Sequence, residues 1–267
     1  MNAAAGFAPL YQRRVALAVK NPVALIGQLL TPVLWVLVVG PALANAFGGF
    51  ATQVNYLTYI AVGQIAFVLP FSAMFAGLVV MQDRDFGILR EFLVAPIHRS
   101  TIPLATIAAV LTVGAGQVAI IVGLAAVRGA HFDIAVGPLI AALAAAALLT
   151  AGSYGLAEYL AYRITQPQIF GTLIPAIGAT PYLLCGAIYP LATLPAGVRQ
   201  FALLLPWTHA VAVLRYGFMG GDASGLDQIW HLQSDAAMAL LSLGALAIFT
   251  AATVALAMRA FRSSTLK

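Results

Sequence analysis

The chain has 267 residues, of which 62% are hydrophobic and only 8% are charged. Soluble domains contain roughly 45–50% apolar and about 25% charged residues, so this composition excludes an ordinary soluble enzyme or binding module and indicates an integral membrane protein. The net charge of +5 is explained by basic residues that anchor loops at a membrane surface, and no nucleic-acid partner is expected.

The chain begins with a segment, residues 7–20, that is predicted to be an amphipathic helix lying in the membrane interface. Its apolar side chains share one broad face, and Arg13 and Lys20 lie on the other. Arg14 departs from this pattern, because it projects into the apolar face and is expected to extend toward water. Asn21-Pro22 then ends the helix.

Six apolar runs are long enough to cross a bilayer as helices, which takes about 20 residues. They cover residues 23–47, 55–81, 102–127, 134–162, 169–189 and 236–258. The first run also has features of a signal peptide, with a basic start and the small residues Ala42-Leu43-Ala44. Its apolar core exceeds the roughly 7–15 residues of such peptides, so an uncleaved span is predicted.

Residues 190–220 are apolar but are interrupted by Pro190, Pro195 and Pro206. The remaining pieces are too short to span, so they are predicted to be re-entrant helices between the fifth and sixth spans. A seventh span through Pro206 is rejected, because it would place the basic C-terminal tail on the opposite side from most other basic residues.

The basic residues predict the orientation of the chain. With six spans, ten of the thirteen lysines and arginines lie on the side of the two termini, and Arg128, Arg199 and Arg215 lie on the other. Basic residues accumulate on the cytoplasmic side of membrane proteins. The sequence therefore predicts a multi-pass protein of the plasma (inner) membrane with both termini in the cytoplasm.

The most charged segment follows the second span, at residues 82–99. Its apolar side chains fall on one helical arc, Asp83 and Asp85 suit the first turn, and Pro96 ends the helix. A short amphipathic helix over 83–96 is therefore predicted. Spacing alone leaves two interpretations open, which are a solvated connection and a docking site for a cytoplasmic partner.

Patterns that support chemistry in other proteins are missing from the sequence. The only lysines, Lys20 and Lys267, are not part of a GxxxxGK[ST] phosphate-binding loop. The four histidines have no metal-ligand spacing, and Cys185 is the single cysteine. We therefore expect no catalytic residue, no metal site and no bound cofactor in this chain.

Polar residues within the predicted spans are few. Glu158 is interpreted as forming a local ion pair with Arg163 or a contact with water, rather than acting as a proton relay. The amides Gln28, Gln64 and Gln117 either bond between helices or line a polar path. A proton-coupled carrier needs more buried ionisable groups than this, so the driving energy is expected to come from outside the chain.

Two stretches resemble the membrane subunit of a type-2 ABC exporter. One is Asp85-Phe86-Gly87-Ile88-Leu89-Arg90-Glu91-Phe92-Leu93-Val94-Ala95-Pro96, which is similar to the family's acidic-x-Gly-[TI]-Leu-x-x-Leu-x-x-[ST]-Pro pattern. The other is the run from Pro190 to Pro195, followed by Leu205-Pro206-Trp207-Thr208-His209 and Leu214-Arg215. The resemblance covers nearly the whole chain as one transmembrane domain, residues 1–267.

The resemblance implies a role for several segments. Residues 7–20 correspond to a connecting helix, 83–96 to a coupling helix seated on a nucleotide-binding subunit, and 190–220 to re-entrant helices. The implied coupling residues are Asp83, Arg84, Asp85, Phe86, Leu89, Arg90, Glu91, Phe92 and Leu93. The weaker substrate-pathway candidates are Gln28, Gln64, Pro175 and Pro181, and the re-entrant motif contains Pro190, Pro195, Pro206 and Arg215.

The implied machine has two permease subunits, identical or homologous, in membrane lipid, driven by ATP and Mg bound in a separate ATPase subunit. The almost uncharged spans favour a hydrophobic or amphipathic cargo such as a drug or lipid. The main alternative is a secondary transporter or channel that works without an ATPase. A membrane-embedded enzyme is the other alternative, but no catalytic pair is evident at membrane depth.

Overall fold

The structure is a computed structural model that describes residues 3–46, 55–94, 98–221 and 223–264. Every regular element in these ranges is helical, which confirms the predicted all-α class. The helices are α1 (Ala3–Val19), α2 (Pro22–Leu34), α3 (Gly40–Ala46), α4 (Tyr56–Asp85), α5 (Ile88–Val94), α6 (Thr101–Val127), α7 (Val136–Arg163), α8 (Pro167–Leu184), α9 (Ala196–Leu203), α10 (Pro206–Met219), α11 (Asp227–Trp230) and α12 (Asp235–Ser264).

Five of these segments are long and apolar enough to cross a membrane, namely α2 with its continuation to Leu43, α4, α6, α7 and α12. The pair α9 and α10 is bent by 79° and is a sixth candidate if it counts as one broken span. Five predicted spans are thus found as membrane-length helices. The predicted span at 169–189 is found as the 18-residue helix α8. This helix is not among the five, because Gln168 and two internal prolines lower its mean hydropathy.

The first span contains an irregular turn between α2 and α3. Residues Trp35–Val39 are π-helical, and the Gly40 N–H bonds to the Trp35 carbonyl oxygen five residues earlier. Pro41 follows directly and has no N–H to continue the α-helical ladder. The proline therefore accounts for the change of hydrogen-bond register within the membrane segment.

Helix α4 lies at the centre of the bundle and packs against α2, α6, α7, α8 and α10. Of its most apolar stretch, 72% is buried, whereas the other candidate spans are only 22–33% buried. A helix that is hydrophobic all round belongs in the interior of a large apolar protein. Any displacement of α4 must therefore be transmitted to several neighbouring helices.

Helix α7 forms the second packing centre, because both α10 and α12 lie against it. Ala142 and Ala145 on α7 have no exposed surface, and small side chains allow helix backbones to approach closely. These small side chains therefore allow neighbouring helices to pack closely against α7. At the other end of the chain, α1 packs along α6.

Candidate functional site

The charged segment after α4 is built differently from the single helix predicted over 83–96. Helix α4 continues through Asp85, a turn follows at Phe86 and Gly87, and α5 begins only at Ile88. Gly87 has φ of +76°, a conformation that glycine adopts without strain. Asp83 and Asp85 therefore lie in the last turn of α4, and the predicted end at Ala95-Pro96 falls outside the described residues.

Asp83 forms the main electrostatic contact between α1 and α4. Its carboxylate lies 2.8 Å from Arg13 Nη2 and 2.6 Å from Arg14 Nη1, and the residue is only 3% exposed. The expectation that Arg14 extends into water is wrong, because its guanidinium turns inward and is buried. Asp83 thus joins the N-terminal helix to α4 and offers little surface to a partner.

Arg84 connects the same end of α4 to α7. Its Nη1 donates to the carbonyl oxygens of Ala161 at 2.8 Å and Ile164 at 3.1 Å, and its Nε donates to Asp85 at 3.0 Å. Carbonyl groups at the C-terminus of a helix have no intrahelical partner and favour a nearby cation. Arg84 therefore caps α7 and joins it to the end of α4.

The exposed surface of this segment is small and contains both apolar and acidic side chains. Phe86 is 77% exposed and Val94 is 83% exposed, and the side chains of Asp85 and Glu91 also face outward. Phe92 instead packs with the α1 cluster, where the Arg13 guanidinium lies 5.4 Å from its ring centroid. The side chains of Leu89, Arg90 and Leu93, which are predicted to take part in coupling, are not among those that the structure describes.

Two of the three amides in the spans form one cluster between helices. Ser72 Oγ on α4 lies 2.7 Å from Gln28 Oε1 on α2 and 2.7 Å from Gln117 Oε1 on α6, and Gln117 Nε2 donates to Gln28 Oε1 at 3.0 Å. All three residues are buried. Of the two functions predicted for these amides, bonding between helices is the one observed here.

Gln64 belongs to a different contact, between α4 and α8. Its Nε2 donates to the Tyr182 hydroxyl, and Gln64 has no exposed surface. Pro175 and Pro181, the other predicted pathway residues, lie within α8. Gln28 and Gln64 are therefore held in separate clusters, and the structure does not bring the four pathway candidates into one site.

Glu158 does not form the ion pair with Arg163 that is one of its two predicted contacts. Residues five positions apart do not share a helix face, and the Arg163 guanidinium lies instead 5.9 Å from the Tyr159 ring centroid. Glu158 is buried, Tyr162 Oη donates to it at 3.5 Å, and Arg14 lies within electrostatic reach. It therefore belongs with the arginine–aspartate cluster between α1 and α4.

Arg215, on α10, is a buried structural residue. Its Nη2 donates to the carbonyl oxygens of Gly186 at 2.8 Å and Ala187 at 3.0 Å, and its guanidinium lies 3.4 Å from the Tyr59 ring centroid. These contacts fix α10 to the turn after α8.

The three prolines predicted for the re-entrant motif lie at or near helix starts. Pro195 and Pro206 stand at the starts of α9 and α10, where proline is well accommodated. Pro190 precedes a short 3₁₀ turn at Leu191–Thr193.

Residues 7–219 match the family model for ABC-2 type transporters. The chain belongs to the ABC-2 type transporter family. A relative named 'Putative transport permease ycf38' in Porphyra purpurea is 28% identical over 216 residues, covering 80% of this chain and 74% of the relative. Its counterpart in Pyropia yezoensis is 27% identical over 210 residues, covering 78% and 72%.

The region that matches the family model covers most of the helices of this ABC-2 permease. It begins within α1, includes the exposed segment between Phe86 and Val94, and ends at Met219, the last residue of α10. Sequence reasoning had placed Asp83 among the residues facing a partner, and it had missed the contacts that Arg13, Arg14 and Arg84 make. Their partners are distant along the chain, so hydropathy patterns carry no signal for them.

Proposed function

We propose that this ABC-2 permease is the membrane subunit of an ATP-driven exporter. It moves a hydrophobic or amphipathic, drug-like or lipid-like substrate across the plasma membrane, and ATP with Mg is hydrolysed in a separate nucleotide-binding subunit. The observation that supports this proposal best is the small exposed segment from Asp85 to Val94, mounted directly on α4. We call it the tip segment.

The tip segment is well placed to transmit force. It continues from the end of α4, which is the most buried candidate span and packs against helices on several sides. Asp83 and Arg84, just before the tip segment, tie the end of α4 to α1 and α7. A push on Phe86 and its neighbours would therefore move a connected unit rather than a loose loop.

The chemistry of the tip segment suits a protein partner. A large aromatic side chain that is 77% exposed, flanked by the carboxylates of Asp85 and Glu91, combines an apolar anchor with groups that set orientation. Since the sequence contains no phosphate-binding loop of its own, the partner we propose is the ATP-hydrolysing subunit. Both termini then lie in the cytoplasm with the tip segment, as the basic residues predict.

A second permease subunit, identical or homologous, completes the proposed transporter. The outer face of the first span carries a stripe of exposed apolar residues at helical spacing: Val23, Ile26, Leu30, Leu34 and Val38. Such a stripe suits lipid or another permease. The substrate would pass between the two subunits along mainly apolar surfaces, since Gln28 Oε1 and Gln64 Nε2 are already bonded to neighbouring helices.

Replacing Phe86 with aspartate tests the role of the tip segment. We expect binding to the ATPase subunit to weaken by about tenfold or more, because an aromatic anchor that the partner would bury is replaced by a charge that must be desolvated. Glu91→Arg is expected to weaken binding less, through altered orientation. Binding is measured by quantitative co-purification, and transport by ATP-dependent uptake into inverted vesicles.

Val127→Asp provides the matched control. Val127 is 85% exposed and lies at the far end of α6, so it introduces the same charge away from the tip segment. The control is expected to insert, bind the ATPase and transport normally. If Phe86→Asp behaved like Val127→Asp, the tip segment would be an ordinary solvated connection, and transport without ATP would favour a secondary carrier.

A further inference from the structure

A cavity of about 260 Å³ lies between α1, α2, α4 and α6. Apolar side chains line its middle, including Leu25, Phe75, Val79 and Val113. This volume is just under the roughly 300–1,000 Å³ of sites that hold drug-sized ligands. It therefore suits one extended hydrocarbon chain better than a bulky molecule.

The end of the cavity near α1 is polar and open. It is lined by Arg14, Asn21 and Gln82, and the last two have exposed side chains. The far end contains Gln28 and Ser72, whose facing polar groups bond to each other. Ten residues of α4 separate Ser72 from Gln82, which corresponds to about 15 Å along the helix.

The charges at the open end favour an anion. Arg14 is the one charged residue among the described residues that line the cavity. It shares the Asp83 carboxylate with Arg13, and Glu158 lies within its electrostatic reach. Asn21 and Gln82 add neutral amide donors beside it. An acidic head group would find a cation and two amides there, next to an apolar channel for its chain.

We propose that this cavity binds an anionic membrane lipid, with its head group at Arg14, Asn21 and Gln82 and one acyl chain between α2, α4 and α6. The lipid is a resident ligand within one permease, distinct from transported cargo. Because Arg14 also contacts Asp83, an occupied site would hold α1 against the end of α4, directly before the tip segment.

The test uses the full-length permease purified in a neutral detergent, with lipid retention measured by native mass spectrometry. Phosphatidylglycerol and phosphatidylcholine serve as matched anionic and zwitterionic probes, and oleate distinguishes a free fatty acid from a phospholipid. We expect one phosphatidylglycerol per chain, retained at least about fivefold better than phosphatidylcholine. Preference for oleate over both phospholipids would overturn a phospholipid as the resident ligand.

Two variants locate the site. Val113→Phe fills the channel and is expected to remove retention of all probes, whereas Gln82→Glu should lower phosphatidylglycerol retention by about fivefold and leave phosphatidylcholine unchanged. Gln82 is exposed, so this variant is expected to fold. Ala115→Phe, on an exposed face of the same helix, is the control and should retain lipid normally.

The proposal is overturned if the wild-type chain retains no lipid, which would indicate a water-filled cavity, or if it retains both phospholipids equally. It is also overturned if Val113→Phe retains as much as Ala115→Phe. No ATPase subunit takes part in this experiment. Its outcome is therefore separate from that of the proposed exporter function.

Discussion

Replacing Asp83 with alanine is expected to destabilise the permease by about 3–5 kcal/mol, the usual cost of removing one partner of a buried ion pair. Asp83 is 3% exposed and contacts both Arg13 and Arg14. Its removal leaves the buried Arg14 guanidinium without its nearest carboxylate and separates α1 from α4. Thermal unfolding in detergent, followed by size-exclusion chromatography, measures the loss.

Asp85→Ala is the matched control for this prediction. Asp85 pairs with Arg84, but its side chain is 40% exposed, and exposed ion pairs contribute at most about 1 kcal/mol. We expect this variant to remain near wild-type stability. Equal stability of the two variants would contradict the conclusion that Asp83 joins α1 to α4.

Replacing Gly63 with alanine is expected to cost at least about 3 kcal/mol, the upper part of the range for over-packed cores. A Cβ atom at this position would lie 2.2 Å from the backbone oxygen of Ala187. A backbone atom cannot turn aside as a side chain can. The same turn is held by Arg215 and by Tyr59, whose hydroxyl donates to the Gly186 oxygen at 3.2 Å, so α4 and the turn must separate.

Gly123→Ala measures the ordinary effect of the same substitution. Nothing lies within 4 Å of a Cβ at Gly123, and alanine is favoured over glycine in helices by roughly 0.8–1 kcal/mol. This variant is expected to be as stable as the wild type or slightly more so. The close packing of α4 on the turn would be disproved if the two glycine variants had equal melting temperatures.

The main helices could be predicted from the sequence because burial in lipid requires long apolar runs. The predicted span at 102–127 is found as α6, Thr101–Val127, and the span at 134–162 as α7, Val136–Arg163. Apolarity does not specify where a helix stops. The second span therefore continues past the predicted end at Met81 to Asp85, and the turn at Phe86 and Gly87 marks its end.

The side-chain contacts of the candidate site were harder to predict, because they join residues far apart in the chain. Arg13 and Asp83 are separated by 70 positions, and no local periodicity reports their pairing. The sequence predicts Asp83 and Asp85 in the first turn of a helix, where carboxylates are favoured. In the structure both residues lie in the last turn of α4. Arg215 was expected near the outer boundary, but its partners are carbonyl oxygens of a turn that hydropathy cannot reveal.

Affinity purification from native membranes tests most directly whether this ABC-2 permease works with a separate ATPase, as we propose. The tagged full-length chain is solubilised in mild detergent, and the proteins that accompany it are identified and assayed for ATP hydrolysis. We predict recovery of an ATPase with a phosphate-binding loop, at a level reduced by Phe86→Asp and unchanged by Val127→Asp. Recovery of the permease alone, with transport intact in vesicles lacking ATP, would contradict the account.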